Sequence, residues 1–174
     1  MATWILRLHE HDERFLHALV LRRRPRLDRL MRSITHLGDA AVTIGLVLAL
    51  ALLGGAGFRE AGRVAAFALV ASHLAVQLLK RTISRQRPRL PVGVASLVRA
   101  PDRFSFPSGH AASSLSVALG LAMVLPPPLA GAVVALACVV GLSRCYLGVH
   151  YPGDVVMGWL LAALGVAVAV PLVG

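Results

Sequence analysis

Five apolar stretches divide most of this chain, from about Asp39 to Gly57, Gly62 to Lys80, Ser108 to Leu125, Leu129 to Tyr146 and Pro152 to Val170. Each approaches the ~20 residues an α-helix needs to cross a hydrocarbon core. In lipid the backbone must satisfy its own polar groups, so stretches of this length fold as helices. The expected fold is an all-α, multi-pass transmembrane helical bundle with five spans. Aromatics make up only 5% of the 174 residues. The apolar mass is Ala, Leu, Val and Gly, and small side chains let membrane helices approach closely.

The N-terminal region differs. Trp4, Ile5, Leu8, Phe15, Leu16 and Leu19 are mixed with charged residues, and Arg22-Arg23-Arg24-Pro25 breaks the segment. Beyond the proline, Leu27, Leu30, Met31 and Ile34 recur at helical spacing, with Arg26, Arg29 and Arg32 on other faces. That pattern predicts an amphipathic helix lying in the membrane interface rather than crossing it. The chain therefore reads as a single membrane domain, with residues 1–36 interfacial and residues 37–174 forming the bundle. Cys138 and Cys145, two helical turns apart, are too distant for a disulfide and are expected as free thiols.

A formal charge of +10, from 18 Lys+Arg against 8 Asp+Glu, calls for an anionic partner. The arginines cluster between stretches that carry almost no charge. Anionic lipid head groups fit that arrangement, and nucleic acid does not.

Three polar clusters stand out against this background. Lys80 ends the second apolar stretch, and Arg87-Pro88 follows it in the one long loop. Lysine brings a compact charge and arginine a fork matched to phosphate oxygens. Pro107-Ser108-Gly109-His110 opens the third stretch. Ser108 is a good N-cap, Gly109 exposes the backbone, and the free amides of a helix start attract an anion. Ser143-Arg144 closes the fourth stretch, with His150 and Asp154 just beyond. Asp154 is placed to hold His150 Nδ1 and leave Nε2 free to attack. With five spans, every second connection lies on the same side, which puts all three clusters together. Each alone also fits lipid anchoring, helix capping or a structural hydrogen bond. Three cations at one pocket repel a bare divalent ion, and zinc spacings are absent. No metal and no cofactor are expected.

In their order and spacing these residues resemble the type 2 phosphatidic acid phosphatase superfamily, which includes vanadium haloperoxidases. The pattern is Lys, six residues, Arg-Pro; then Pro-Ser-Gly-His; then Ser-Arg, five residues, His, three residues, Asp. It matches without substitution, and the resemblance covers about residues 30–170. It implies that His150 is the nucleophile, that His110 protonates the leaving oxygen and then activates water, and that Asp154 orients His150. It also implies that Lys80, Arg87, Arg144, Ser108 and the Gly109 amide hold the phosphoryl oxygens. Many members have six spans, whereas the first helix here is expected on the surface.

The expected activity is metal-independent hydrolysis of a terminal phosphate from a lipid phosphate or diphosphate. A polyprenyl diphosphate, phosphatidic acid, phosphatidylglycerol phosphate or a polyprenyl-linked sugar phosphate would serve. The alternative is a non-catalytic lipid-phosphate binder or transport protein, for which two histidines and Asp154 would be superfluous. Weaker candidates are His73 and Gln77, on one face of the second stretch with Lys80, where interhelical hydrogen bonding is the simpler role. Thr35, His36 and Asp39 are expected to cap and support. Arg89, Arg99 and Arg103 can meet either a substrate head group or lipid phosphates. The site-bearing face holds sixteen of the eighteen Lys+Arg, with only Arg59 and Arg63 opposite. By the positive-inside rule that face is cytoplasmic.

Overall fold

The computed structural model describes residues 2–174, with side chains from residue 9 onward. The side chains of Trp4, Ile5 and Leu8, read above as apolar members of the first segment, lie outside the described residues. The described residues form seven α-helices and a short 3-10 turn. They are α1 (Ala2–Val20), α2 (Pro25–Thr35), the turn His36–Gly38, α3 (Ala40–Leu53), α4 (Ala56–Ile83), α5 (Gly109–Ala122), α6 (Pro127–Tyr146) and α7 (Pro152–Val173). Among the described residues the only strand-like pairing is an isolated bridge between Gln86 and Phe104. All-helical architecture is the answer that lipid imposes on such a sequence.

Among the described residues three helices, α4, α6 and α7, are long and apolar enough to cross a membrane. Counting α2 with its turn and α3, which meet at 50°, as one broken helix gives a fourth among the described residues. The expected count of five spans therefore does not follow from helix length alone. α3 and α5 have 14 residues each, about 21 Å at 1.5 Å per residue. That is short of a ~30 Å core. Helix boundaries shift modestly from those read in sequence. α4 begins at Ala56, so only Gly54 and Gly55 separate it from α3. Pro127 and Pro128 fall in the first turn of α6, where a missing amide proton costs nothing.

Small residues set the packing. A Cβ on Gly158 of α7 would stand 2.5 Å from the Ser108 carbonyl, and one on Gly120 of α5 would stand 2.7 Å from Ala65 Cβ of α4. α5 is thus enclosed by α4 and α7, and its N-terminus is held at a fixed depth.

The N-terminal helices are not merely laid on a membrane. Leu16 and Val20 of α1 are buried in one apolar cluster with Ala111, Cys145, Tyr151 and Val155. Arg23 donates to the Tyr146 and Ala95 carbonyls, and Tyr146 donates its hydroxyl to Asp28. These contacts bind α1, α2, the long loop and the α6–α7 turn into one face. Cys138 and Cys145 are free thiols, Cys145 fully buried.

Candidate active site

The third cluster is built at the α6–α7 turn. Gly148 takes a φ of +83°, which reverses the chain after α6 and turns His150 inward. His150 is 2% exposed and Asp154 is fully buried. His150 Nδ1 lies 3.4 Å from Asp154 Oδ2, longer than a well-formed hydrogen bond. Asp154 Oδ2 instead accepts the Tyr151 amide at 2.8 Å, and Oδ1 accepts Arg85 Nη1 at 2.8 Å.

On its other edge, His150 Nε2 is 2.9 Å from Arg87 Nη1. A guanidinium can only donate, so Nε2 must be the acceptor and carry the lone pair. The ring proton of a neutral His150 is then on Nδ1, facing Asp154. Burial, ahead of the charges of Arg87 and Arg144, pushes the His150 pKa down to about 4 against the pull of Asp154. The imidazole is accordingly neutral at pH 7, the form a nucleophile needs.

Arg87 also donates Nη1 to the Val149 carbonyl at 2.7 Å and Nη2 to Asp102 Oδ1 at 2.9 Å. Lys80, buried at the end of α4, pairs with the other oxygen of the same carboxylate. Asp102 thus bridges both cations of the first cluster while accepting the Phe104 amide. Burial alone would raise its pKa, but Lys80, Arg87 and that amide outweigh it and hold the carboxyl below its usual range.

Ser108 is fully buried and caps α5 by accepting the Ala111 amide. The nearest heavy atom to a Cβ built on Gly109 is 4.0 Å away, so nothing crowds the helix start there. His110, in the first turn, has Nε2 2.9 Å from Asp39 Oδ1. Arg144, 3% exposed, donates Nη1 to Thr35 Oγ1 at 2.6 Å, while its Nε is a buried donor with no partner among the described residues. Lys80 and Arg144 both lie near enough for their charge to bear on His110, and Arg87 and Arg144 on His150.

All eight candidate residues of the sequence therefore fall at one end of the bundle. A family model for the PAP2 superfamily matches residues 61–174. The chain belongs to that superfamily. The decaprenylphosphoryl-5-phosphoribose phosphatase of Mycobacterium tuberculosis (strain ATCC 25618 / H37Rv) is 39% identical over 145 residues, 80% of this chain and 77% of the relative. The crystal structure of Aquifex aeolicus LpxE superposes with a TM-score of 0.80 at 25% identity, covering 91% of this chain and 93% of the other. The transmembrane PAP2 type phosphatidylglycerolphosphate phosphatase of Bacillus subtilis gives 0.75 at 31% identity, over 93% and 84%. The fold is that of a PAP2-type, multi-pass membrane phosphatase.

Within this PAP2 fold, three groups were not evident from the sequence. Asp102 was overlooked although it is the one acidic residue in a loop crowded with arginines, which was a usable signal. Arg85, which belongs to none of the three clusters, joins Asp154 to Asp12 of α1 and stacks 4.0 Å over the Tyr151 ring. Asp12 also accepts the Gly153 amide at 3.0 Å. Asp39, expected to cap and support, makes no side-chain cap bond but does support His110. His73 and Gln77 are exposed on α4 while Lys80 is buried. Those two contact each other along the helix at 3.3 Å rather than a neighbouring helix.

Proposed function

We propose that this chain removes the terminal phosphate from a lipid phosphate whose tail stays in the bilayer, by way of a phosphohistidine on His150. The observation that carries this reading is the contact of Arg87 Nη1 with His150 Nε2, with the charge of Arg144 also bearing on His150 and those of Arg144 and Lys80 on His110. A phosphoryl group held by Arg87 would place its phosphorus against the attacking lone pair.

The chemistry then balances in two steps. His150 Nε2 attacks phosphorus, the bond from phosphorus to the lipid oxygen breaks, and His110 gives that oxygen a proton. Water, losing a proton to His110, attacks the phosphohistidine, and phosphate leaves with His150 restored. Asp154 faces His150 Nδ1 and favours the positive charge that the ring gains on attack. Lys80, Arg87, Arg144, Ser108 and the Gly109 amide hold the phosphoryl oxygens, whose charge is largest in the transition state. The unpartnered Nε of buried Arg144 supports that assignment.

A polyprenyl-linked sugar phosphate is the substrate class best supported, because the mycobacterial relative named for such a molecule is 39% identical. An apolar cavity of about 170 Å³ between α3, α5 and α6, lined by Leu46, Val117, Leu121 and Leu136, suits its hydrocarbon. Residues 1–36 form an interfacial region of the one catalytic domain, with the exposed Arg22, Arg24, Arg26, Arg29 and Arg32 meeting anionic lipid. The active site faces the cytoplasm. Thirteen Lys+Arg against two, with Lys80, Arg87 and Arg144 set aside, support that side.

Phosphate release by the purified protein in detergent, across a panel of lipid phosphates and diphosphates with excess chelator, tests the proposal. His150→Ala should abolish turnover and leave anion binding largely intact. Anion binding without turnover in the unmodified protein would favour the non-catalytic reading, and loss of activity to the chelator would contradict the mechanism.

A further inference from the structure

The two histidines of the pocket need opposite charge states. His150 must be neutral to attack, and His110 must be protonated to release the lipid oxygen. Yet His110 stands among the same cations: burial first, then Arg144 and Lys80, oppose a positive charge on its ring, and Asp39 favours one. Something must offset them. The structure offers one carboxylate in contact with that ring.

Asp39 lies at the bend between the His36–Gly38 turn and α3. Its Oδ1 is 2.9 Å from His110 Nε2 and its Oδ2 is 2.7 Å from His36 Nδ1. An ionised carboxylate only accepts, so each ring donates an N–H to it. The register of this contact is fixed by the backbone. A Cβ on Gly38 would stand 3.0 Å from His110 Cβ and 2.9 Å from Val140 Cγ1, so only glycine allows the turn to lie this close. Ser113, one turn beyond His110, donates its hydroxyl to the Gly38 carbonyl at 2.9 Å. Asp39 itself accepts no side-chain cap bond from α3. A capping role therefore does not account for it.

We infer that Asp39 is a positioning residue for the acid step, holding His110 through Nε2 and sustaining its imidazolium so that Nδ1 can pass a proton to the departing lipid oxygen. This deepens the proposed function and rests on it. His36 secures the second carboxylate oxygen, and Arg144 and Lys80 are the charges that Asp39 offsets. The outcome is an arrangement in which each imidazole has its own carboxylate, Asp154 for His150 and Asp39 for His110.

A structural role and an acid-positioning role differ in their dependence on the leaving group. An alkoxide needs a proton to leave, whereas p-nitrophenolate does not. The experiment compares Asp39→Asn with the unmodified protein in detergent, using a lipid phosphate and p-nitrophenyl phosphate, and measures the first-turnover burst of alcohol or nitrophenolate. The expected loss is about 10²-fold with the lipid, the low end for general acid catalysis, and less than about threefold with p-nitrophenyl phosphate on the same principle. Asp39→Glu keeps a displaced charge and should show the same bias at smaller size, which serves if the Asn variant does not fold. Equal losses on both substrates, or none on the lipid, would overturn the inference while leaving the proposed function in place. A burst that survives His150→Ala would instead remove the function on which it stands.

Discussion

Arg87 Nη1 lies 2.9 Å from His150 Nε2, so the fork suited to a phosphoryl oxygen touches the atom suited to attack its phosphorus. One guanidinium reaches His150, the Val149 carbonyl and Asp102 together, which only a rigid planar fork can do. Arg87→Lys keeps the charge and loses that geometry. We expect kcat/KM to fall by roughly 10²–10³, the usual loss for one donor to a developing oxyanion. Steady-state kinetics on a lipid phosphate would show it, and a loss below about threefold would mean that charge alone suffices.

The buried state of His150 predicts a pH response. Its pKa is pushed to about 4, against about 6.5 for an unfolded histidine. Between these values the unfolded chain holds the proton and the folded chain does not. The stability contributed by neutral His150 is therefore full above about pH 6.5 and is lost as pH falls toward 4. In 15N-histidine NMR of the protein in detergent, the resonance that disappears in His150→Gln should titrate near 4. Titration near 6.5 would show that the ring is far better solvated than its 2% exposure indicates.

How much of this was legible depended on the distance along the chain between partners. Lys80, Arg87, Ser108, His110, Arg144, His150 and Asp154 sit in short local patterns whose chemistry can be read residue by residue. The carboxylates that hold them do not. Asp39 meets His110 across 71 positions, and Asp12 meets Arg85 across 73. No spacing rule reports such pairs, because only the folded helices bring them together. The spans were legible for α4, α6 and α7, where a long apolar run coincides with one helix. They were less so for α3 and α5, because hydropathy continues past the end of each helix. α1 was legible only as a mixed segment, and the burial of Leu16 and Val20 against the protein core was not, because their partners lie far along the chain.

Arg85 should matter as much as residues of the motif. It is the side-chain partner of Asp154 Oδ1, and Asp154 has no exposed surface. Arg85→Ala leaves that oxygen uncompensated. We expect a loss toward the lower end of the about 3–5 kcal/mol typical when one member of a buried pair is removed, because Arg85 itself is 20% exposed. Thermal unfolding in detergent would measure it, together with a fall in kcat. Asp12→Asn should act in the same direction and more weakly, since Asp154 keeps its own contacts.

Asp102 holds both Lys80 and Arg87 with one carboxylate. Removing it leaves a buried ammonium and part of a guanidinium unpaired. Asp102→Ala should lower Tm, at about 2–4 °C per kcal/mol for a chain of this size. Added orthovanadate should recover more stability in the variant than in the unmodified protein, because an anion bound only to the folded state raises Tm by mass action. An equal vanadate shift in both proteins would show that Asp102 and a phosphate-like anion do not compete for these cations.

The central claim is most directly tested by trapping the intermediate. Protein mixed with a lipid phosphate carrying 32P in its terminal group, and quenched in alkali within the first turnover, should carry label on the peptide containing His150. That label should be stable to base and released by mild acid, and it should be absent from His150→Ala. Label on any other residue, or turnover by His150→Ala, would contradict the account.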